Sequence, residues 1–151
     1  MAKNNNKKNY RYISHTADVS FFAYGRNYED CFKNSAEAMF NLMFNLEQIK
    51  KKKIKTYEIK ISDSAKTKED LLWFFLQDII SKTYSENISI FKVKKISITE
   101  KLNSYKITAI LGYSKNLDAD NFLMDVKAVT PHNLIIKKYK EGLRSRVILD
   151  I

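Results

Sequence analysis

Three short stretches carry the side chains able to do chemistry: His15-Thr16-Ala17-Asp18-Val19, Val126-Lys127-Ala128-Val129-Thr130-Pro131-His132 and Leu149-Asp150-Ile151. Asp18 stands where a strand is expected to begin. Its carboxylate either satisfies nearby backbone N–H groups, as loop aspartates do, or faces away from Ala17 and Val19 as a functional acid. Lys127 alternates with Val126 and Ala128, so it is either exposed on a two-faced strand or turned into a polar pocket to meet an acid or a phosphate. Val147 to Ile151 is an apolar strand ending in an acid and a hydrophobic residue. If it is held to its end, the Ile151 α-carboxylate is held with it; otherwise the chain simply stops after its last strand.

Nucleophilic catalysis has little to draw on. His15 and His132 could serve a serine triad, yet there is no Gly-x-Ser-x-Gly elbow. Cys31 falls inside a stretch that reads as a core helix. With only 3 glycines, the chain cannot build a phosphate-cradling loop alongside its turns. An independent NTPase or dinucleotide enzyme is therefore not expected, and a stand-alone hydrolase lacks a substrate-pocket signature.

The elements that must position these groups fit one domain. The chain has 151 residues, 44% of them hydrophobic, enough for a core without disulfide or metal staples. The single cysteine excludes an internal disulfide framework and fits a reducing compartment. No N-terminal hydrophobic stretch reads as a signal peptide, and no apolar run approaches the ~20 residues that span a bilayer. A cytoplasmic protein is the expectation. The net charge of +10 either attracts RNA, phosphate or an acidic protein, or reflects a composition rich in Lys, Asn and Ile. Residues 1–9 are polar and basic and read as a disordered tail, leaving 10–151 as the domain.

Asp18 to Gly25 reads as a strand. Asn27 then caps a helix running to about Asn45, with Tyr28, Phe32, Ser35, Ala36, Met39 and Met43 along one stripe. Lys50 to Ser62 is expected to become a strand, and the Lys50–Lys53 run at its start either binds RNA phosphates or is a solvated strand end that blocks edge pairing. Thr67 caps a second helix with Leu72, Phe75, Leu76, Ile79 and Ile80 buried. Trp73 and Phe74 widen its apolar surface, which implies packing on two sides or a partner contact. Ile88–Thr99 and Tyr105–Gly112 form a hairpin turning near Lys101–Ser104. After a polar loop from Ser114 to Asn121, strands are expected at Leu123–Thr130, Leu134–Tyr139 and Val147–Ile151, the last two joined by a turn at Lys140-Glu141-Gly142. The order predicts an α+β fold: two helices packed on one face of an antiparallel β-sheet.

Taken together and in order, the three motifs resemble those of the archease family. Glu37-Ala38-Met39-Phe40-Asn41-Leu42-Met43 is similar to the family's first helix, and Asp70-Leu71-Leu72-Trp73-Phe74-Phe75-Leu76 to its second. The resemblance covers about residues 12–151. The sequence departs from the pattern in four places: Ser20 replaces a common glycine, Pro131 a tyrosine, Gln77 an acid, and Asn121-Phe122 occupy a loop that often carries histidine.

The resemblance implies an accessory activator and not an enzyme. Archeases activate the RtcB-type RNA ligase of tRNA splicing and RNA repair, promoting guanylylation of the ligase histidine from GTP and allowing repeated turnover. GTP and RNA would be met only through the ligase, and no membrane is involved. The resemblance also implies a divalent metal ion, calcium before magnesium or manganese, on Asp18, Asp150 and Ile151. Lys127 would contact phosphate or ligase, with His15 and His132 standing behind the ligands. The chemistry is coherent, because converging carboxylates repel until a hard, oxygen-seeking cation joins them. The competing reading is an RNA-binding adaptor that uses the +10 charge. Against it, basic and aromatic residues follow no known RNA-module pattern along the chain.

Overall fold

The computed structural model describes residues 9–14 and 18–151. His15, and all of the basic tail before Asn9, lie outside the described residues. Two antiparallel sheets form. The first has the order β1-β2-β7-β6, from β1 (Tyr10–Ser14), β2 (Asp18–Gly25), β6 (Ala128–Tyr139) and β7 (Gly142–Asp150). The second has the order β3-β5-β4, from β3 (Tyr57–Ala65), β4 (Ser89–Lys101) and β5 (Ser104–Ser114). Helix α1 (Tyr28–Met43) packs on β2 and β7 of the first sheet and β4 of the second. Helix α3 (Lys68–Ser85) packs on β6 of the first and β3 and β5 of the second. The class is α+β as expected, with the strands divided between two sheets.

Both long helices start where their caps dictate. The Asn27 side chain accepts from the Asp30 N–H, and the Thr67 hydroxyl accepts from the Asp70 N–H, satisfying amides that the helix itself leaves open. The α1 stripe of Phe32, Ala36, Met39, Phe40 and Met43 is buried, and so are Leu71, Leu72, Phe75, Leu76, Ile79 and Ile80 of α3. Trp73 is half-buried, and Phe74 stays 39% exposed, so the extra apolar surface of α3 is only partly packed. Cys31 is fully buried, with its thiol 3.9 Å from the Ala23 carbonyl, and burial pushes its pKa up to about 11. It is a core residue, not a nucleophile.

The helices also shield the edges of both sheets. Glu29 of α1 accepts from the Ile98 N–H on edge strand β4. Glu69 of α3 accepts from the Ile136 N–H on edge strand β6. Open edge amides invite pairing with other chains, and these carboxylates satisfy them from within.

Several expectations need correction. Tyr10–Ser14 is a strand, paired through Tyr10↔Ala23 and Tyr12↔Phe21. Its five residues adjoin a polar tail, and its order comes from that pairing and from Tyr12 O–H donating to the Ala38 carbonyl at 2.8 Å. Lys50–Lys53 does not open a strand: Lys50 and Lys51 end a short helix, α2 (Leu46–Lys51), which Asn45 caps by accepting from the Gln48 N–H. Glu47 in its first turn and the two lysines in its last suit the helix dipole. Strand β6 begins at Ala128 and not at Leu123, because Leu123 N–H turns to the Met43 carbonyl. From there β6 runs unbroken through a bulge between Thr130 and Ile135, where two strands were expected. The hairpin between β4 and β5 is as expected, with Leu102 and Asn103 both at positive φ in its two-residue turn.

Candidate metal site

Alternation along β2, β6 and β7 builds the site. Val19, Val129 and Leu149 point inward and are 8%, 2% and 0% exposed. Their neighbours Asp18, Ala128 and Asp150 must therefore point outward. The antiparallel order brings the start of β2, the end of β7 and the start of β6 to one rim of the first sheet. There Asp150 pairs with Asp18 on one side and Ala128 on the other. Directly opposed residues have Cβ atoms about 4.5–5.5 Å apart. Two acids from opposite ends of the chain thus become neighbours.

Asp150 is tethered twice. Thr130 Oγ1 donates to its Oδ1 at 3.1 Å, and its carbonyl accepts the Lys127 N–H at 2.8 Å. Asp18 is half-buried, whereas Asp150 and Lys127 are exposed. The Ile151 side chain packs on the edge of the core, which holds the residue after Asp150 at the same rim.

Helix α3 fixes the approach to Lys127. Trp73 Nε1–H donates to the Val129 carbonyl at 2.8 Å, and Gln77 Oε1 accepts the Val129 N–H at 2.9 Å. The Tyr84 hydroxyl bonds the Asp125 carboxylate and lies 2.8 Å from the Val126 carbonyl. Desolvation first, and then the Asp125 carboxylate, raise that phenol to about 12, so it stays protonated. The backbone on either side of Lys127 is therefore pinned, while its ammonium remains in solvent.

His132 occupies the β6 bulge beside Asn133, whose φ is 61°. It is exposed, lies further along the strand than Thr130, and has no hydrogen bond to Asp18 or Asp150 among the described residues. The structure thus brings together Asp18, Asp150, Ile151 and the Lys127 backbone, and leaves His132 away from the rim. Sequence reasoning missed Thr130, Trp73, Gln77 and Tyr84 as parts of the site. The surplus aromatic surface of α3 was the one signal pointing to Trp73.

The donors at the rim are carboxylate oxygens, which suit a hard cation such as calcium or magnesium better than zinc or copper. Among the described residues, no three His, Cys, Asp or Glu side chains gather as a metal site. The opposed pair fits a divalent cation as a two-carboxylate site needing further oxygens, which the main chain at Ile151 and water can supply.

The chain is similar to known proteins over nearly its whole length. The model of the archease protein family (MTH1598/TM1083) matches residues 10–151. A protein archease of Methanosarcina barkeri is 33% identical over 145 residues, covering 95% of this chain and 97% of the relative. A protein archease of Pyrococcus abyssi is 28% identical over 137 residues, covering 89% and 92%. The solution structure of Methanobacterium thermoautotrophicum protein 1598 superposes with a TM-score of 0.79 at 27% identity, covering 95% of this chain and 99% of that one. A Thermotoga maritima crystal structure, described as an archease and possible chaperone, shares the fold at a TM-score of 0.58 and 19% identity, covering 92% and 94%.

Proposed function

The chain belongs to the archease family, and from that premise we propose that it activates an RtcB-type RNA ligase of tRNA splicing and RNA repair. It acts in the cytoplasm as an accessory protein, not as an enzyme. Its effect is to promote guanylylation of the ligase histidine from GTP, so that the ligase turns over repeatedly.

The observation that carries this reading is the register of Asp18 against Asp150 beside a pinned Lys127 backbone. Like charges directly opposed across a sheet are destabilising. A protein gains from keeping such a pair only if something cationic uses it. Asp18, Asp150 and the main-chain oxygens of Ile151 would hold a divalent cation, calcium foremost. When bound, the cation supplies positive charge that draws phosphate oxygens to the rim. Thr130 holds the Asp150 carboxylate by one oxygen from the β6 side, opposite Asp18, and the other oxygen is left for the cation. Lys127 reaches from the same rim to neutralise phosphate charge or to contact the ligase. His15 and His132 are assigned supporting roles behind these groups.

The surface suits an insert into another protein's cleft. The rim is made of strand ends, and Asp150 and Lys127 stand in solvent until a partner encloses them. Exclusion of water there would strengthen every charge interaction.

The test is ligation by the cognate ligase with GTP, a divalent metal and substoichiometric amounts of this protein. Conversion of single-turnover ligation to multiple turnover is expected. Ligation unchanged at every ratio would overturn the assignment.

A further inference from the structure

The face of the first sheet that carries Asp18 and Asp150 at its rim has a second chemistry at its centre. Both long helices pack on the opposite face, where Phe21, Ala23, Val147 and Leu149 are buried. On the outer face, Phe22 of β2 pairs with Arg11 of β1 and Arg146 of β7, and Lys137 of β6 pairs with Arg144 of β7. Three strands thus bring four cations around one aromatic ring. The Arg144 guanidinium lies 4.4 Å over the Phe22 ring and 5.1 Å from the ring of Tyr139.

Among the described residues, none of these cations is in an ion pair. Every ion pair among the described residues uses other basic residues: Arg26, Lys51, Lys52, Lys68, Lys82 and Lys94. Arg146 Nε is buried and has no hydrogen-bond partner among the described residues. A buried guanidinium N–H without an acceptor is costly, and folded proteins seldom retain one without a use. The groove bordered by Phe22, Lys137, Arg144 and Arg146 measures about 200 Å³. That is below the roughly 300–1,000 Å³ of small-molecule pockets, and Ile13 and Ile135 complete its lining. It fits a chain passing over it better than a ligand enclosed within it.

We propose that this open sheet face binds single-stranded RNA, with phosphates on Arg11, Lys137 and Arg146 and a base stacked on Arg144 over Phe22. Unstacked bases lie on aromatic rings and on guanidinium planes, and a cationic groove tracks the backbone beside them. Arg144 is already held in place, with its guanidinium over the Phe22 ring and the Tyr139 ring beside it, and the residue stays partly exposed. An acidic peptide would satisfy the charges but would leave the stacked plane unused. The pattern is invisible along the chain because strands from both ends contribute to it. This inference is separate from ligase activation: Arg146 and Asp150 are four residues apart on one strand, about 13 Å, so the face can be altered without touching the carboxylate rim.

The experiment is fluorescence anisotropy of a labelled single-stranded RNA of about 12 nucleotides, within the usual site size, titrated with the full chain at several salt concentrations. Binding should weaken with salt, with a log–log slope of about −2 to −3, since each phosphate contact contributes about −0.7. Arg146→Ala should reduce that slope by about 0.7. Arg144→Lys keeps the charge and loses the plane, so affinity should fall about tenfold at unchanged slope. Lys50→Gln, on a helix away from the face, should bind within about twofold of wild type. Melting curves establish that each variant is folded, and Arg144→Lys, which is the gentlest change, serves if Arg146→Ala is not. Wild-type protein that fails to bind RNA at low salt overturns the proposal. So does wild-type affinity in both arginine variants. Equal affinity for poly-aspartate, lost through the same residues, would make this a surface for acidic protein and would also overturn it.

Discussion

Asp18 and Asp150 face each other directly across β2 and β7, and their inward-pointing neighbours Val19 and Leu149 close the core beneath them. The pair is costly when bare and useful when bridged. Asp18→Asn should therefore raise the stability of the metal-free protein by roughly 0.2–1 kcal/mol, the scale of a like-charge cross-strand contact. The same change should abolish stabilisation by calcium, which in the wild type should reach about 2.7 kcal/mol at a hundredfold excess over Kd. Denaturation with and without calcium measures both effects. Equal calcium stabilisation in wild type and variant would remove Asp18 from the site.

Much of the scaffold around that pair was legible in the residues. Asn27 and Thr67 mark the helix starts because a capping side chain is a local device, complete within four residues. The Leu102-Asn103 turn is local in the same sense. What the chain does not announce is which strands become neighbours. Asp18 and Asp150 can each be picked out as acids at strand ends, but their register depends on β7 inserting between β2 and β6. Thr130 looks like any strand threonine until that register places its hydroxyl on Asp150. Strand β1 and helix α2 escaped for a related reason. Five and six residues are too few for periodicity to speak, and both are held by contacts distant in sequence.

Gln77 and Trp73 should matter through Val129. Gln77→Ala leaves the Val129 N–H without its acceptor, which should cost about 1–3 kcal/mol and loosen the backbone beside Lys127. Gln77→Glu keeps an acceptor and should hold stability at or above wild type. Urea midpoints for the two variants provide the check. If both behave alike, the Val129 contact is not what the side chain contributes.

Asp63 of β3 should make stability fall as pH rises. Burial first, and then the hydrogen bond and charge of Asp78 on α3, raise its pKa to about 7, with Lys82 opposing, and its Oδ2 is buried without a partner among the described residues. In the unfolded chain an aspartate titrates near ~3.9. Between those values the folded state holds a proton that the unfolded state has lost. The contribution is complete below about pH 4 and disappears as pH passes through about 7. Asp63→Asn cannot ionise, so its stability relative to wild type should be greater at pH 8 than at pH 5. Denaturant midpoints at the two pH values decide it, and a constant difference would mean that Asp63 is not protonated in the fold.

The lysine run ends α2 instead of opening a strand, and that changes what its removal should do. Lys50 and Lys51 are exposed, while Lys52 reaches Asp118 and Asp120 at 3.2 and 3.7 Å. Replacing Lys50 and Lys51 with Gln should slow ligase activation only at low ionic strength, because exposed charges are screened beyond about 8 Å at physiological salt. A loss that persists at high salt would mark the run as a specific contact.

Lys127→Ala is the variant that separates chemistry from folding. The side chain is exposed, and its backbone N–H still bonds the Asp150 carbonyl when the side chain is removed. Stability should therefore stay within about 0.5 kcal/mol of wild type, as for most surface substitutions. The carboxylate pair is untouched, so calcium binding should persist as well. What should fall is the rate at which the cognate ligase forms its covalent GMP adduct, because the ammonium that meets phosphate or ligase at the rim is gone. Radiolabelled GTP reports the adduct, and melting curves report the fold. Lys127→Arg restores charge with a different shape. Partial recovery there would assign the role to charge, and no recovery would assign it to the compact ammonium. Adduct formation at the wild-type rate with Lys127→Ala would exclude the side chain from activation, and the rim would then have to work through its carboxylates alone.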